Sequence, residues 1–239
     1  MRKDVIHRCL LGVIFVLPTL MISSLWADEL TVDLLVYRVE RPGDESYINR
    51  MLVTSDYLRI DQGEQDAGFI LFDRKQRVIY SVNPLESSIL VIDPQSPVSQ
   101  VEDLRLELVS SDKHVAPNVA GAKPQYWRLT VNGASCRDAF VLPSTMPESV
   151  EAYREYLNVL ATQQAVALSA LPEEFQDHCD SAVHAYAPDA FLQKGLPLKV
   201  WDGQGYSEAL LDFRHDFKVS SEHFTLPEFF RRVPMGFGG

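Results

Sequence analysis

From Leu30 to Leu142 the chain is punctuated by a turn signal about every ten residues, and every stretch between signals is β-type. The runs are TVDLLVYRVE (31–40), YINRMLVT (47–54), DYLRIDQ (56–62), GFILF (68–72), RVIYSV (77–82), SSILVID (87–93), LRLELVS (104–110), QYWRLTV (125–131) and SCRDAFVLP (135–143). RPGDES, GEQDA, DRKQ, NPLE and PQSP separate them. Connections this short predict an antiparallel meander, because parallel neighbours need a crossover of about a dozen residues or more. Asn132-Gly133 marks the last hairpin, since both residues tolerate the positive φ of a tight turn.

A sheet open to water on one side reads apolar on one face only. The stretch GFILFDRKQRVIYSV (68–82) does not. Phe69 and Leu71 alternate with Ile70 and Phe72; Val78, Tyr80 and Val82 share a face opposite Ile79; in the next run Ile89 and Val91 oppose Leu90 and Ile92. The middle of the sheet therefore needs two covers. From Pro147 to Leu171 the apolar period becomes helical, with Val150, Tyr153, Leu157, Leu160, Leu168 and Leu171 on one side, Ser144 or Thr145 as cap and Pro147 in the first turn. Pro172 starts a shorter helix, PEEFQDHCDSAVHAY, in which Phe175, Cys179, Ala182 and Tyr186 share a face and Glu173 and Glu174 suit the N-terminus. These helices supply one cover. The other is a sheet curling on itself, a ligand or a partner protein.

The chain then returns to β-type runs, GLPLKVWDGQG (195–205), YSEALLDFRHDFKV (206–219) and HFTLPEFFRRV, and the tail MGFGG is expected to be mobile. The predicted fold is α+β: a strongly curved antiparallel sheet with a two-helix insertion (147–186) packed on it, residues 28–239 forming one domain.

Residues 1–27 have the order of a secretory signal peptide: Arg2, Lys3 and Arg8, an apolar run from Cys9 to about Leu25, then Ala27. An uncleaved membrane anchor is the rival reading, because Leu25 stands where a small residue is expected. Both readings export the rest of the chain. Cleavage takes 22 basic and 33 acidic residues to 19 and 32, a net charge of −13, which argues against nucleic acid and against docking on anionic lipid by charge. Cys136 and Cys179 then remain, and in an oxidising compartment an isolated pair forms a disulfide; two separate buried thiols are the alternative.

Catalytic signals are weak. Gly205-Tyr206-Ser207-Glu208-Ala209 lacks the last glycine of a nucleophile elbow. Asp180 and His184 are spaced i, i+4 beside Asp177 and His178, with no third ligand at suitable spacing. No phosphate loop or dinucleotide fingerprint occurs. The expectation is a protein without catalytic residues, metal or cofactor.

The order of elements, with the R-x-D strand (Arg59, Asp61), the helical insertion, the GLPL strand (Gly195 to Leu198) and the closing F-x-L-P-x-x-F (Phe224 to Phe229), resembles the periplasmic half-barrel superfamily of the lipoprotein carriers LolA and LolB, which includes the sensor domain of RseB/MucB-type proteins. The resemblance covers nearly all of the chain after residue 27. It implies a periplasmic half-barrel whose concave face holds a lipid or an acylated polypeptide. An envelope-sensing or protein-interaction module of the same fold is the alternative. The residues expected to line the cavity are Leu58, Ile60, Ile70, Phe72, Val78, Tyr80, Leu90, Ile92 and, from the helical cover, Leu157 and Leu160. Alternation groups residues by face without saying which face is concave.

Overall fold

The computed structural model describes residues 28–64, 67–95, 104–169, 171–172 and 177–235. Residues 1–27, read above as a signal peptide, Glu173, Glu174 and Phe175, read above as the start of the second helix, and the tail beyond residue 235 lie outside them.

Among the described residues nine strands precede the first helix: β1 (Glu29–Glu40), β2 (Tyr47–Val53), β3 (Tyr57–Asp61), β4 (Phe69–Asp73), β5 (Val78–Asn83), β6 (Ser88–Ile92), β7 (Leu106–Ser110), β8 (Gln125–Val131) and β9 (Ala134–Leu142). Helix α1 (Pro147–Ser169) begins with the proline that the sequence places in its first turn. Helix α2 (His178–Ser181) runs on into a π-helical turn, Ala182–Tyr186. Strands β10 (Leu196–Trp201), β11 (Ser207–Ser220) and β12 (Arg231–Pro234) complete the chain.

Turn chemistry sets the meander. In the β4–β5 turn the Gln76 amide donates to Asp73 Oδ1 at 2.8 Å, and in the β5–β6 turn the Glu86 amide donates to Asn83 Oδ1 at 3.3 Å. Each turn closes on a residue in the left-handed region, Arg77 at φ 59° and Ser87 at φ 46°. Asn132 and Gly133, at φ 52° and 82°, make the two-residue β8–β9 hairpin predicted from their identity. Gly195, at φ 134°, lies so close to β9 that a Cβ would sit 2.4 Å from the Leu142 carbonyl oxygen, which explains the glycine ahead of the Leu-Pro-Leu strand.

All twelve strands form one open sheet, in the order β12-β6-β5-β4-β3-β2-β1-β11-β10-β9-β8-β7. Register shifts in β1 against β11, between Val32 and Leu34 and between Val36 and Tyr37, accompany a sheet that curves around α1. Antiparallel pairing throughout was the expectation, and it needs correction: β12 pairs with β6 in parallel, so the sheet is mixed. The reason is the route of the chain. It leaves β11 at Ser220 and must pass six strands to reach the far edge. In the connecting strap, residues 221–230, Phe224 of the closing aromatic motif packs on the outer face.

The concave face carries the main core. Leu35, Met51, Leu58, Phe72, Ile79 and Ile92 from β1 to β6 pack on Val150, Ala152, Tyr156 and Val159 of α1. Burial of each large side chain there contributes about 1.5–3 kcal/mol. Arg74, in the β4–β5 turn, pins the helix by donating to both carboxylate oxygens of Glu155, at 2.6 and 3.2 Å. The other half of the sheet has its own cover: Leu129, Ala139, Val141 and Val200 pack on Val183, Ala190 and Phe191. A disulfide between Cys136 of β9 and Cys179 of α2 ties that cover down, and Ala182 and Tyr186 share its cluster as their helical spacing predicted.

Candidate functional site

Where the two covers meet, the concave face is not filled. A cavity of about 380 Å³ lies between the sheet, α1 and the segment from the π-helical turn to Leu192. One part of its wall is aliphatic, from Met51, Ile60, Ile70, Leu157 and Leu160. Another part is polar, from Arg41, Arg137, His184, Tyr206 and Glu208, with Tyr37 and Tyr153 also on the wall.

Five positions, on strands, loops and the π-helical turn, build the polar part. Val39 pairs with Glu208 and Tyr37 with Leu210, so Glu208 takes an inward place where alternation calls for an apolar side chain. The Tyr206 hydroxyl donates to Glu208 Oε2 at 3.1 Å. Burial holds the Glu208 carboxyl above its ordinary pKa, against the opposing pull of that hydrogen bond and of Arg137 and Arg41. Burial also lowers the pKa of His184, and the charges of Arg137 and Arg41 add to the effect. Arg137 and Arg41 thus act on both Glu208 and His184. The Arg137 guanidinium lies 4.6 Å from the centre of the Tyr206 ring, and its Nη2 is 4.0 Å from Asp202 Oδ2. Its Nε–H is buried with no hydrogen-bond partner among the described residues. Arg41, at the end of β1, is exposed and reaches over the Tyr47 ring at 5.8 Å. Tyr37 donates to the Pro197 carbonyl at 3.0 Å, joining β1 to the Leu-Pro-Leu strand.

The residues singled out from sequence divide into three groups. Ile60, Ile70, Leu157 and Leu160 line the cavity. Leu58, Phe72 and Ile92 are on the same face but inside the core, and Leu90 packs against them. Val78 and Tyr80 are on the opposite face, and here the grouping by face is corrected. Ile70 pairs with Ser81 and Phe72 with Ile79, so an even-numbered residue of β4 shares its face with an odd-numbered one of β5. A turn of four residues, 74–77, sets that parity.

Sequence reasoning missed Arg41, Arg137, His184, Tyr206 and Glu208 as a group. Their one local signal is Glu208 itself, a carboxylate two residues before Leu210 on an inward-facing row. Of the chemistry weighed from sequence, Asp177 caps α2 by accepting from the Asp180 amide at 2.9 Å, and the Ser207 hydroxyl donates to Glu40 Oε2 at 3.1 Å.

On the outer face the chain's own C-terminal strap sits on β3 and its neighbours, and β12 reaches toward the 68–82 hairpin. Arg59 donates to the His223 carbonyl at 2.7 Å, Phe224 lies 6.1 Å from Tyr57 and packs near Leu34 and Leu52, and Arg232 reaches the Tyr80 ring at 5.9 Å. Beneath the strap Asp61 accepts from Arg50 and Arg59, and the Arg59 guanidinium stacks 3.7 Å from the Phe69 ring centre.

No family model matches the chain, and no curated protein matches it. Among solved structures it is similar to PNGF-II in two crystal forms, C2 and P21, each at TM-score 0.39 and 8% identity over 86% of this chain. The chain spans 31% and 32% of those chains, less than a third of their length.

Proposed function

We propose that this chain is an exported, periplasmic binding protein of the half-barrel type, related to the lipoprotein carriers, that holds the acyl part of a lipid or lipid-modified polypeptide between the curved sheet and the helices. The observation that carries the reading is the 380 Å³ cavity with its aliphatic wall of Met51, Ile60, Ile70, Leu157 and Leu160. Interiors normally pack without voids of this size, and a preformed apolar cleft of a few hundred Å³ is the common form of a small-molecule site. Residues 1–27 act as the export segment in this reading, and the rest binds rather than catalyses. Among the described residues no helix is long and apolar enough to cross a membrane.

The test is to purify the protein from its native envelope, extract it with organic solvent and look for stoichiometric lipid by mass spectrometry. Leu160→Trp, which fills the cavity from α1, is expected to abolish lipid recovery while leaving the fold intact. Absence of lipid in the wild type, together with no rise in thermal stability when lipids are added, would overturn the reading.

One observation favours an interaction module of the same fold as a second reading. Leu85, in the β5–β6 turn, and Phe229, just before β12, are 97% and 95% exposed, and the Arg231–Ser88 pairing brings their segments to the same sheet edge. Phe229→Ser abolishing capture of an envelope protein, with lipid absent from the cavity, is the outcome that selects it.

A further inference from the structure

The cavity wall is not uniformly apolar, and its polar part has a sign. Arg41 and Arg137 both bear on the same region, since each acts electrostatically on Glu208 and on His184. His184 is held toward its neutral form by burial and by these two cations. The opposing charges are Asp180, which acts on His184 against the two cations, Glu208, engaged by Tyr206, and Asp202, which stands 4.0 Å from Arg137 and accepts from the Gln204 and Tyr206 amides at 2.8 and 3.0 Å. Asp202 Oδ1 is thus committed to its turn, and Oδ2 stands beyond hydrogen-bond distance of Arg137. Glu208 is buried without a guanidinium within ion-pair distance, and that environment favours its neutral form.

The remaining unanswered group is the Arg137 Nε–H, buried on the cavity wall without a partner. A buried guanidinium donor left unpaired costs more than a neutral one, so such groups are found satisfied. An oxyanion meets the fork of a guanidinium with two parallel acceptors. Across the cavity the aliphatic wall offers nothing to a polar group. The volume limits the rest of the ligand: about 380 Å³ holds roughly a dozen groups of the size of a water or a methylene, at about 30 Å³ each.

Taking the cavity as a lipid site, as proposed above, we infer that its ligand is a single-chain amphiphile with an anionic oxygen head, a carboxylate or a phosphate monoester. The chain lies against Ile60, Ile70, Leu157 and Leu160, and the head is received by Arg137 and Arg41. Neither feature was legible from the apolar pattern alone, which is indifferent to the charge of a head group.

The experiment is a probe-displacement titration of the protein, delipidated on a hydrophobic resin, against four ligands of one chain length: dodecanoate, dodecyl phosphate, dodecanol and dodecylamine, each below its micelle concentration. At least one of the two anions is expected to bind about tenfold or more tighter than dodecanol, the scale of one charge-assisted hydrogen bond, with dodecylamine weakest. Which anion leads distinguishes a free fatty acid from a phosphorylated lipid. Arg137→Gln and Arg41→Gln are expected to bring the anions toward parity with dodecanol while leaving dodecanol unchanged. Arg41 is exposed, so its variant tests the head site even if Arg137→Gln misfolds. Equal binding of anions and dodecanol by the wild type overturns the inference and leaves an apolar site standing. Binding of none of the four removes the lipid reading itself.

Discussion

The two faces of the sheet are covered by opposite means. On the outer face of β3 and its neighbours β1 and β2 sits the chain's own C-terminal strap, and beneath it charges are paired: Asp61 has its side chain 1% exposed and accepts from Arg50 at 2.7 Å and Arg59 at 2.6 Å. The concave face is closed by two helical pieces that meet, joined by Arg154 of α1 and Asp189 at 3.1 Å, yet leave a cavity against the sheet, and on its wall the buried charges, Arg137 and Glu208, stand without ion pairs at hydrogen-bond distance. The difference teaches where to look for a ligand. An apolar face is not evidence of binding when the chain itself can reach it, whereas an unfilled junction with unpaired polar groups is what packing alone would remove.

The comparison is broken most forcefully by loosening the concave cover. Reducing the Cys136–Cys179 disulfide, or replacing both residues by alanine, releases a loop with a sequence separation of 43. The expected cost is about 4 kcal/mol in urea unfolding with and without reductant. A loss under about 1 kcal/mol would mean that packing by Val183, Ala190 and Phe191 alone holds the cover.

Next in size is the outer face. Asp61→Asn leaves Arg59 nearly buried with a weakened partner and is expected to cost about 3 kcal/mol. Burial opposes ionisation of Asp61, but the hydrogen bonds and charges of Arg50 and Arg59 outweigh it and hold its pKa below the ordinary carboxylate value. Its contribution is therefore complete above the unfolded-state pKa and is lost as the pH falls through the lower folded value. Denaturant midpoints measured from neutral pH into acid should decline less steeply in the variant than in the wild type; parallel curves would show that the network is not what closes this face.

The smallest effect sharpens the contrast by its sign. Glu208 has its pKa raised by burial, so its contribution to stability is fully present below the unfolded-state value and is lost as the pH rises through the folded one. Glu208→Gln keeps an acceptor for Tyr206 and removes the charge. It is expected to raise the melting temperature slightly at pH 8 and to leave it unchanged at pH 4, by scanning calorimetry. Destabilisation at pH 8 would mean that Glu208 is held ionised, as Asp61 is.

Much of the molecule was legible in its residues. Strand and turn content follow from rules with a range of a few residues: Asx side chains on amides three positions on, positive φ at Asn132 and Gly133, and the helical period that begins at Pro147. Cys136 and Cys179 form the bond that an isolated pair predicted. The face of β5 was misassigned because facing depends on the count of turn residues between two strands, and one residue changes the parity of everything after it. Val78 and Tyr80 show the consequence, while Leu90 and Ile92, another turn further on, fall on the expected face.

The sequence by itself determined the elements, their order and the demand for two covers, because alternation, turn chemistry and helical period act between near neighbours. Only the tertiary structure decided which cover went where. The strap reaches β6 because β11 lies six strands away, and the polar wall exists because Arg41, Arg137, His184 and Glu208, from four separate segments, converge where the two helical covers meet over the sheet without filling it. Neither arrangement has a local signature, since each is set by the path of the chain across a curved sheet.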